Sequence, residues 1–408
     1  MKNLISFQRL ALLFVLLFAS IQSAHAYYID FDVDGIYYRF VTGATVAVTS
    51  GTVDEEDQGL YCGDVYIPET VFCDEWGREF WVVEIDYRAF WLCDDLTSVT
   101  LPSSIARIDD MAFYGCSGLS EIIIPDGVGR IGEYAFTGCD GLTSVTIPHS
   151  VSRFGEFSFS SCHGLTEVNL LNETVGDYMF IGCKNLTTVN FSNSMTSIGD
   201  YAFYDTKLTS VVIPESLTTM GNGAFCDLAA LQTICWNARN CSLDVEDEDY
   251  GYSGAPFEGC SNLRHIIFGE EVESLAGYRM FEIGDEYNHI DTVTCLAVTP
   301  PSIDEFCFTA MTYEHAVLCV PEGSMQDYQA ANGWKEFAQC VAIPDGVTMA
   351  GDVDEDGVVG IADVTQLIDY ILMGHATPFN AANADVDNDG VIGIGDVTAI
   401  IDIILMQR

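Results

Sequence analysis

A short pattern of apolar residues repeats along the middle of this chain, and this repeat limits the possible folds more than any other feature. The leucines that open the copies stand 21 to 23 residues apart, with one last gap of 32, at Leu96, Leu119, Leu142, Leu165, Leu186, Leu208, Leu231 and Leu263. One copy is too short to bury its own apolar side chains, whereas stacked copies build a continuous core. The sequence therefore predicts a repeat solenoid over residues 96–289.

Each copy opens with the alternation L-x-x-V-x-L, which predicts a short strand with apolar side chains on one face. A proline and a loop follow, and an A-F-x-G-C segment then turns the chain back. Seven phenylalanines each lie six residues before the next opening leucine: Phe90, Phe113, Phe136, Phe159, Phe180, Phe225 and Phe257. We expect the strands to form a parallel β-sheet on the concave face of the solenoid.

The cysteines follow the same repeat. Six of the 15 occupy one equivalent site, namely Cys93, Cys116, Cys139, Cys162, Cys183 and Cys260. Side chains at stacked equivalent sites point the same way, which is poor geometry for a disulfide. Buried free thiols are therefore favoured over disulfides in this column. The other cysteines remain unassigned: Cys62, Cys73, Cys226, Cys235, Cys241, Cys295, Cys307, Cys319 and Cys340.

The C-terminal region contains one segment twice, at residues 351–373 and again 33 residues later at 384–406. Both copies place aspartates at positions 1, 3, 5 and 12 of a loop: Asp352, Asp354, Asp356, Asp363, Asp385, Asp387, Asp389 and Asp396. Gly357 and Gly390 stand at position 6, where an EF-hand-type loop turns sharply. Clustered carboxylates repel one another unless a hard cation neutralises them, so the pattern predicts two bound Ca²⁺ ions.

Each acidic loop leads into a helical pattern. Apolar residues recur with helical spacing at Val364, Leu367, Ile368 and Ile371, and again at Val397, Ile400, Ile401 and Ile404. One apolar stripe per helix allows the two halves to pack together. The sequence therefore predicts a small all-α module of paired loop-helix units, distinct from the solenoid.

Charge and termini limit the partners and the location. The chain has 15 basic and 61 acidic residues, a formal net charge of −46, which argues against nucleic acid and anionic membranes as partners. Residues 1–26 read as a secretory signal peptide, with Lys2 and Arg9 before the apolar stretch 10–21 and an A-x-A site at 24–26. We expect a secreted protein with no membrane insertion. An acidic insertion at 244–252 is interpreted as a solvated surface loop.

Catalytic patterns are missing from the sequence. The histidines are dispersed, and neither H-E-x-x-H, G-x-S-x-G nor C-x-x-C occurs. Acidic residues are so abundant that their number alone does not exclude a glycosidase-like pair of catalytic carboxylates. However, the repeats leave no independent domain large enough for a catalytic fold. The chain is therefore expected not to be an enzyme.

Two strings imitate other sites. "DFDVDG" at 30–35 copies half of a calcium loop, but Val41 stands at position 12, and strict alternation with an Asp-Gly turn predicts a β-hairpin instead. "GVGRIG" at 127–132 matches a dinucleotide-binding string but lies inside a repeat, so we interpret it as part of the solenoid.

The phrase "IPxSVxxIGxxAFxGCxxL" resembles the BspA-like class of bacterial leucine-rich repeats over about residues 60–340. The resemblance implies an N-terminal hairpin and capping repeats at 27–95, a C-terminal cap at 290–340 and a linker at 341–350. On the predicted concave face, Ser98, Glu121, Ser144, Glu167, Thr188 and Ser210 are candidates for binding an unknown protein or glycan. The alternative is that Ser and Thr simply suit the exposed side of a strand.

The duplicated module at 351–408 resembles a type I dockerin. The resemblance implies that the eight aspartates and the backbone carbonyls of Val358 and Val391 bind calcium. It also implies a cohesin domain on another protein as partner, contacted through Ile361, Ala362, Ile394 and Gly395. Cell-surface attachment and an accessory role in a polysaccharide-degrading complex would follow. The alternative is a free calcium-stabilised adhesin without a cohesin, in which these isoleucines pack locally.

Overall fold

The computed structural model describes residues 29–51, 60–244, 255–276, 280–281, 283, 290–304, 306–343 and 351–353, and beyond these 359, 363, 366–367, 370, 379–384, 386 and 392. Within these ranges the chain forms a parallel β-solenoid of about 10 turns, followed by a small C-terminal region.

The N-terminal strands are β1 (Phe31–Val33), β2 (Ile36–Phe40), β3 (Thr45–Thr49), β4 (Gly63–Tyr66), β5 (Thr70–Cys73) and β6 (Arg78–Ile85). β1 and β2 form an antiparallel hairpin. Its turn residues Asp34 and Gly35 have φ of 52° and 80°, the left-handed pair that suits a two-residue hairpin. The segment "DFDVDG" thus lies in a strand and a turn.

Each following turn of the solenoid contributes two strands. In chain order these are β7 (Leu96–Thr100), β8 (Arg107–Ile108), β9 (Glu121–Ile122), β10 (Arg130–Ile131), β11 (Ser144–Ile147), β12 (Arg153–Phe154), β13 (Glu167–Leu170), β14 (Thr174–Val175), β15 (Thr188–Phe191), β16 (Ser197–Ile198), β17 (Ser210–Ile213), β18 (Thr219–Gly221), β19 (Thr233–Trp236), β20 (Asn240–Asp244), β21 (His265–Phe268), β22 (Ser274–Ala276), β23 (Thr292–Cys295) and β24 (Ser302–Ile303).

The odd-numbered strands from β7 onward are the predicted L-x-x-V-x-L strands, and they pair in parallel. Equivalent residues lie side by side, as Val145 does with Val168 and Val168 with Val189. Their apolar side chains alternate into the interior, so that β11 reads exposed, buried, exposed, buried. The sequence alternation therefore sets both the strand and its buried face.

The even-numbered strands from β8 to β24 form a second parallel ladder in two stretches, β8–β12 and β14–β24, where the sequence predicts a loop. Arg130 pairs with both Arg107 and Arg153, and the Arg130–Ile131 strand is the centre of "GVGRIG". Strands of two residues are too short to show an alternation of period two, so the sequence pattern concealed them. The glycine after this strand is required by close stacking, because a Cβ at Gly132 would clash with the backbone of Asp109 and Asp110.

A column of aromatic rings runs through the interior. All seven phenylalanines singled out in the sequence belong to it, and neighbouring ring centroids lie 4.6–5.7 Å apart in the order Tyr61, Phe90, Phe113, Phe136, Phe159, Phe180, Phe203, Phe225, Phe257, Phe281 and Phe308. The stack joins successive turns through their largest buried side chains.

The thiols of the repeat lie beside this column. All 15 cysteines fall within the described ranges and all are free. Cys116, Cys139 and Cys162 each donate to the carbonyl oxygen of the phenylalanine in the preceding turn, at 2.9, 3.1 and 3.1 Å. The free-thiol prediction for the column is confirmed. The repeated cysteine also has a physical reason, because it gives a second donor to a buried carbonyl that already accepts from a backbone N–H.

The solenoid ends in α1 (Ala310–His315), β25 (Val317–Pro321), a 3₁₀ turn (Glu322–Ser324), α2 (Met325–Ala330), a second 3₁₀ turn (Trp334–Glu336) and β26 (Gln339–Ile343). Buried Trp334 and Tyr328 hydrogen-bond to the carbonyls of Pro301 and Ala297, both at 2.7 Å. β26 pairs with β25 as far as Ile343, so the first three residues of the predicted linker belong to the sheet. Further along the chain, α3 spans Ala381–Ala384.

Candidate functional site

The described residues of the C-terminal module share one small core that contains equivalent positions from both sequence copies. Val353 and Val359 are buried, and Val386 and Ile392, 33 residues further on, pack partly buried against the same cluster. Leu367 and Ala384 complete it, and the ring of Tyr370 stacks on Phe379 with centroids 4.0 Å apart. The two halves therefore fold as one unit.

Two of the predicted calcium ligands are described, and both are buried. Asp352, at position 1 of the first loop, is 6% exposed, and Asp363, at position 12, is 0% exposed. The backbone N–H of Val353 donates to Asp363 Oδ1 at 2.6 Å, which brings the two ends of the loop together. Asp363 is also helical, as are Gln366, Leu367 and Tyr370.

The donor set fits calcium. Residues 351–406, which contain both acidic loops, have no lysine and no arginine to neutralise the carboxylates. Burying a carboxylate without a countercharge costs several kcal/mol, and oxygen-only ligands suit a hard divalent cation. Asp352 and Asp363 would therefore hold Ca²⁺ from the two ends of the first loop.

Most of the other predicted site residues lie outside the described residues. These are the calcium ligands Asp354, Asp356, Val358, Asp385, Asp387, Asp389, Val391 and Asp396, and the partner-binding residues Ile361, Ala362, Ile394 and Gly395. Of the second loop, only Val386 and Ile392 are described.

The predicted ligand surface of the solenoid lies on the first ladder. Ser98, Glu121, Ser144, Glu167, Thr188 and Ser210 occupy the same point on successive strands, and Ser98 pairs with Glu121 as Ser144 does with Glu167. Four of the six are exposed, whereas Ser98 and Glu167 are half-buried. Ser98 donates to Asp64 Oδ1 at 2.7 Å, and Asn190 donates to Glu167 Oε1 at 3.1 Å.

The neighbouring hydroxyls of that face serve the fold. Ser120, Thr166 and Thr187 each donate to a backbone carbonyl of the preceding turn, at 3.1, 3.0 and 3.2 Å. A hydroxyl that donates to a backbone carbonyl has a structural role, so its presence does not require that this face binds a ligand. This supports the structural interpretation for these positions, but leaves the exposed Glu121, Ser144, Thr188 and Ser210 without such an explanation.

A charged network on the second ladder was missed in the sequence. Arg107 contacts Glu84 at 3.2 Å and Asp109 at 2.5 Å, Arg130 contacts Asp109 and Asp110, and Arg39 forms a bidentate pair with Asp86. Carboxylate oxygens of Glu84, Asp86 and Asp109 lie within 4.8 Å of one another. The pKa of Glu84 is raised, because the effect of its burial exceeds the opposing effect of the nearby Arg107 charge. The arginines supply the positive charge here, so this cluster is an ion-pair network and not a metal site.

Exposed aromatic residues concentrate near the N-terminal end. Tyr66, Phe72, Trp76 and Trp81 are 49–69% exposed. Phe72 and Trp81 point to the same side of the β5–β6 hairpin, because their partners are Glu79 and Thr70. None of these side chains could be assigned from the sequence repeat, which begins after them.

No helix among the described residues has the length and apolar character needed to cross a membrane.

Comparison with known proteins identifies the family of each part. Residues 83–175 and 171–244 match the family described as BspA type leucine rich repeat region, in 6 copies. Residues 350–405 match the dockerin type I domain. No curated protein sequence matches the chain.

Several solved structures are similar to the chain. A leucine rich cell surface protein from Faecalibacterium prausnitzii is 21% identical, with 78% of this chain and 95% of that chain covered and a TM-score of 0.46. A leucine-rich repeat protein from Bacteroides ovatus is 20% identical, with 77% and 100% covered and a TM-score of 0.32. A leucine rich repeat protein from T. pallidum is 24% identical, with 62% and 85% covered and a TM-score of 0.33.

Proposed function

We propose that this chain, which joins BspA-type leucine-rich repeats to a C-terminal type I dockerin domain, is an exported binding protein that attaches to a cohesin-bearing partner through calcium-dependent docking. One observation carries the proposal: both copies of the acidic segment contribute to one core beside the buried carboxylates of Asp352 and Asp363. A module built in this way presents a fixed surface only when its loops are neutralised.

Binding, not catalysis, suits both parts of the chain. Leucine-rich repeats and dockerins are binding and adaptor modules. In the described residues, the acids that lie closest together on the second ladder are paired with arginines and would make poor acid-base groups. The chain therefore acts by holding two partners, one at each part.

Two calcium ions are held, in this proposal, by the eight aspartates of the duplicated loops and the carbonyls of Val358 and Val391. Calcium supplies the positive charge that lets each loop close. Ile361 and Ala362, with Ile394 and Gly395, then form the surface for the partner. These apolar and small residues favour a cohesin surface that is itself apolar at the contact.

The domain boundaries belong to the same proposal. Residues 1–26 act as the signal peptide, 27–95 as the N-terminal hairpin and capping repeats, 96–289 as the repeats, 290–340 as the C-terminal cap and 351–408 as the docking module. The linker starts after Ile343, where β26 ends. The secreted chain is then held at the cell surface by its partner.

The solenoid presents its own ligand surface on the first ladder. Glu121, Ser144 and Ser210 are exposed there, and the ligand is a protein or a glycan. An accessory role in a polysaccharide-degrading complex follows if the ligand is a glycan. Retention of the full-length chain on insoluble polysaccharide, compared with retention on extracellular matrix proteins, distinguishes these ligands.

The docking proposal is tested by affinity capture from the extracellular and envelope proteins of the source organism. The full-length chain is used as bait with calcium and with chelator, beside a variant carrying Asp363→Ala and Asp396→Ala. We expect a calcium-dependent catch with a cohesin domain, lost in chelator and in the variant. A chain that binds calcium but captures no cohesin would instead indicate the free adhesin, with the loops as a structural clamp.

A further inference from the structure

The backbone that opens the first acidic loop is held by the second half of the module. The N–H of Gly351 donates to the carbonyl of Asn383 at 2.8 Å, and the N–H of Asn380 donates to the carbonyl of Val353 at 2.7 Å. Between these two bonds, the side-chain Nδ2 of Asn383 donates to the carbonyl oxygen of Asp352. Asn383, 31 positions further along the chain, therefore holds the backbone of Asp352, the first predicted calcium ligand.

Asparagine is energetically unfavourable at position 383. Asn383 is 3% exposed and lies within the short helix α3, where asparagine is a weaker helix former than alanine. Its Oδ1 is buried and has no hydrogen-bond partner in the described part of the module. An amide that is buried and half satisfied costs free energy, so packing alone does not explain it. The hydrogen bond from its Nδ2 to the carbonyl oxygen of Asp352 explains why an asparagine stands here.

Asn383 also stands two residues before Asp385, the first aspartate of the second loop. Resting on the calcium sites of the proposed function, we propose that Asn383 is a positioning residue for the first calcium site. From the short helix α3 it holds the backbone of Asp352 in place for calcium in the first loop.

Calcium titration by calorimetry tests this positioning role in the full-length chain. Asp396→Ala leaves only the first loop competent, and Asp363→Ala leaves only the second. In the Asp396→Ala chain, Asn383→Ala should lower calcium affinity about five- to tenfold, the range for losing a hydrogen bond that positions a metal ligand. In the Asp363→Ala chain it should leave calcium affinity nearly unchanged.

Two further variants separate the hydrogen bond from packing and helix stability. Asn383→Leu keeps the buried volume without a donor and should behave like Asn383→Ala. Asn380→Ala removes the side-chain oxygen that accepts from the N–H of Asn383 at 3.2 Å, which weakens the start of α3 but spares the contact with Asp352. It should therefore have a smaller effect on the first loop.

The positioning role is overturned if Asn383→Ala leaves the first loop unchanged, weakens both loops equally, is rescued by leucine, or is matched by Asn380→Ala. A different failure would count against the proposed function itself: an unmodified chain that takes up no calcium at all. That result would overturn the calcium sites and the positioning role together.

Discussion

At the scale of single residues, the repeated cysteine shows how one side chain can serve a fold without covalent chemistry. Cys183 and Cys260 continue the pattern, donating to the carbonyls of Phe159 and Phe225 at 3.2 and 3.1 Å. A thiol is small and apolar enough for the interior and still has a weak donor for a carbonyl that the ladders leave over. The chain can therefore keep a cysteine column without building disulfides from it.

The buried thiols make the solenoid sensitive to alkali. Burial raises the pKa of Cys93, Cys226 and Cys241 to about 12, from an ordinary value of 9.0. The folded state then keeps protons that the unfolded chain has released, so the stability that these thiols contribute is present below pH 9 and is lost as the pH rises toward 12. Thermal melts of the solenoid followed by circular dichroism should show a melting temperature that falls steadily above pH 9.

Labelling of the thiols at neutral pH independently checks that the column is buried. The exposed thiol of Cys62 should react rapidly with a disulfide reagent in the native state. Those of the buried column should react only after unfolding, since their burial makes them inaccessible to the reagent. Rapid labelling of the column in the folded protein would contradict the packing described for it.

At the scale of elements, the interior ring column stabilises the stacking of one turn on the next. Phe136 is fully buried and stacks on Phe113 and Phe159 with centroids 5.0 and 4.7 Å away. Phe136→Ala should lower the free energy of unfolding by about 3–5 kcal/mol through lost burial and a cavity. Urea denaturation measures this change.

Ile123→Ala is the matched control for the ring column. Its side chain is 71% exposed on the first ladder, in the same part of the solenoid. An exposed substitution of this kind should change stability by less than about 0.5 kcal/mol. Similar losses for the two variants would show that the rings are not what joins the turns.

The elements also show how far sequence reasoning reached. The first ladder was predictable because its alternation lasts five residues, as in Leu96–Thr100, and because the same leucine returns each turn. The second ladder was not, since most of its strands are only two or three residues long, as in Arg107–Ile108 and Thr219–Gly221. The ion pair of Arg39 with Asp86 joins residues 47 positions apart, and no spacing rule brings these two residues together.

The candidate site was predictable for a different reason. A duplicated loop places eight aspartates at fixed positions, and the chemistry of carboxylates limits the ligand to a hard cation. The sequence could not show that Asn383 reaches back to Asp352, because that contact depends on how the two halves pack around Val353 and Ala384. The calcium ligands can be read from the local sequence, whereas the contact that positions Asp352 depends on tertiary packing.

At the scale of the whole molecule, the two parts owe their stability to different physics. The solenoid has one apolar core from Ile36 to Phe337 that contains no predicted calcium ligand. The described residues of the C-terminal module form a much smaller core, and residues 351–406 contain no lysine or arginine to balance their acids. Metal-binding energy is therefore folding energy for the module but not for the solenoid.

Differential scanning calorimetry of the full-length chain should resolve this difference as two transitions. The transition of the module should move to higher temperature as calcium is raised, because calcium binds only its folded state, and it should disappear in chelator. The transition of the solenoid should stay in place in both. A chain carrying Asp363→Ala and Asp396→Ala should lose the calcium-dependent transition and the calcium-induced gain of helix in circular dichroism. If the solenoid transition moved with calcium, or the double variant still gained helix, calcium would be acting through residues other than the duplicated loops.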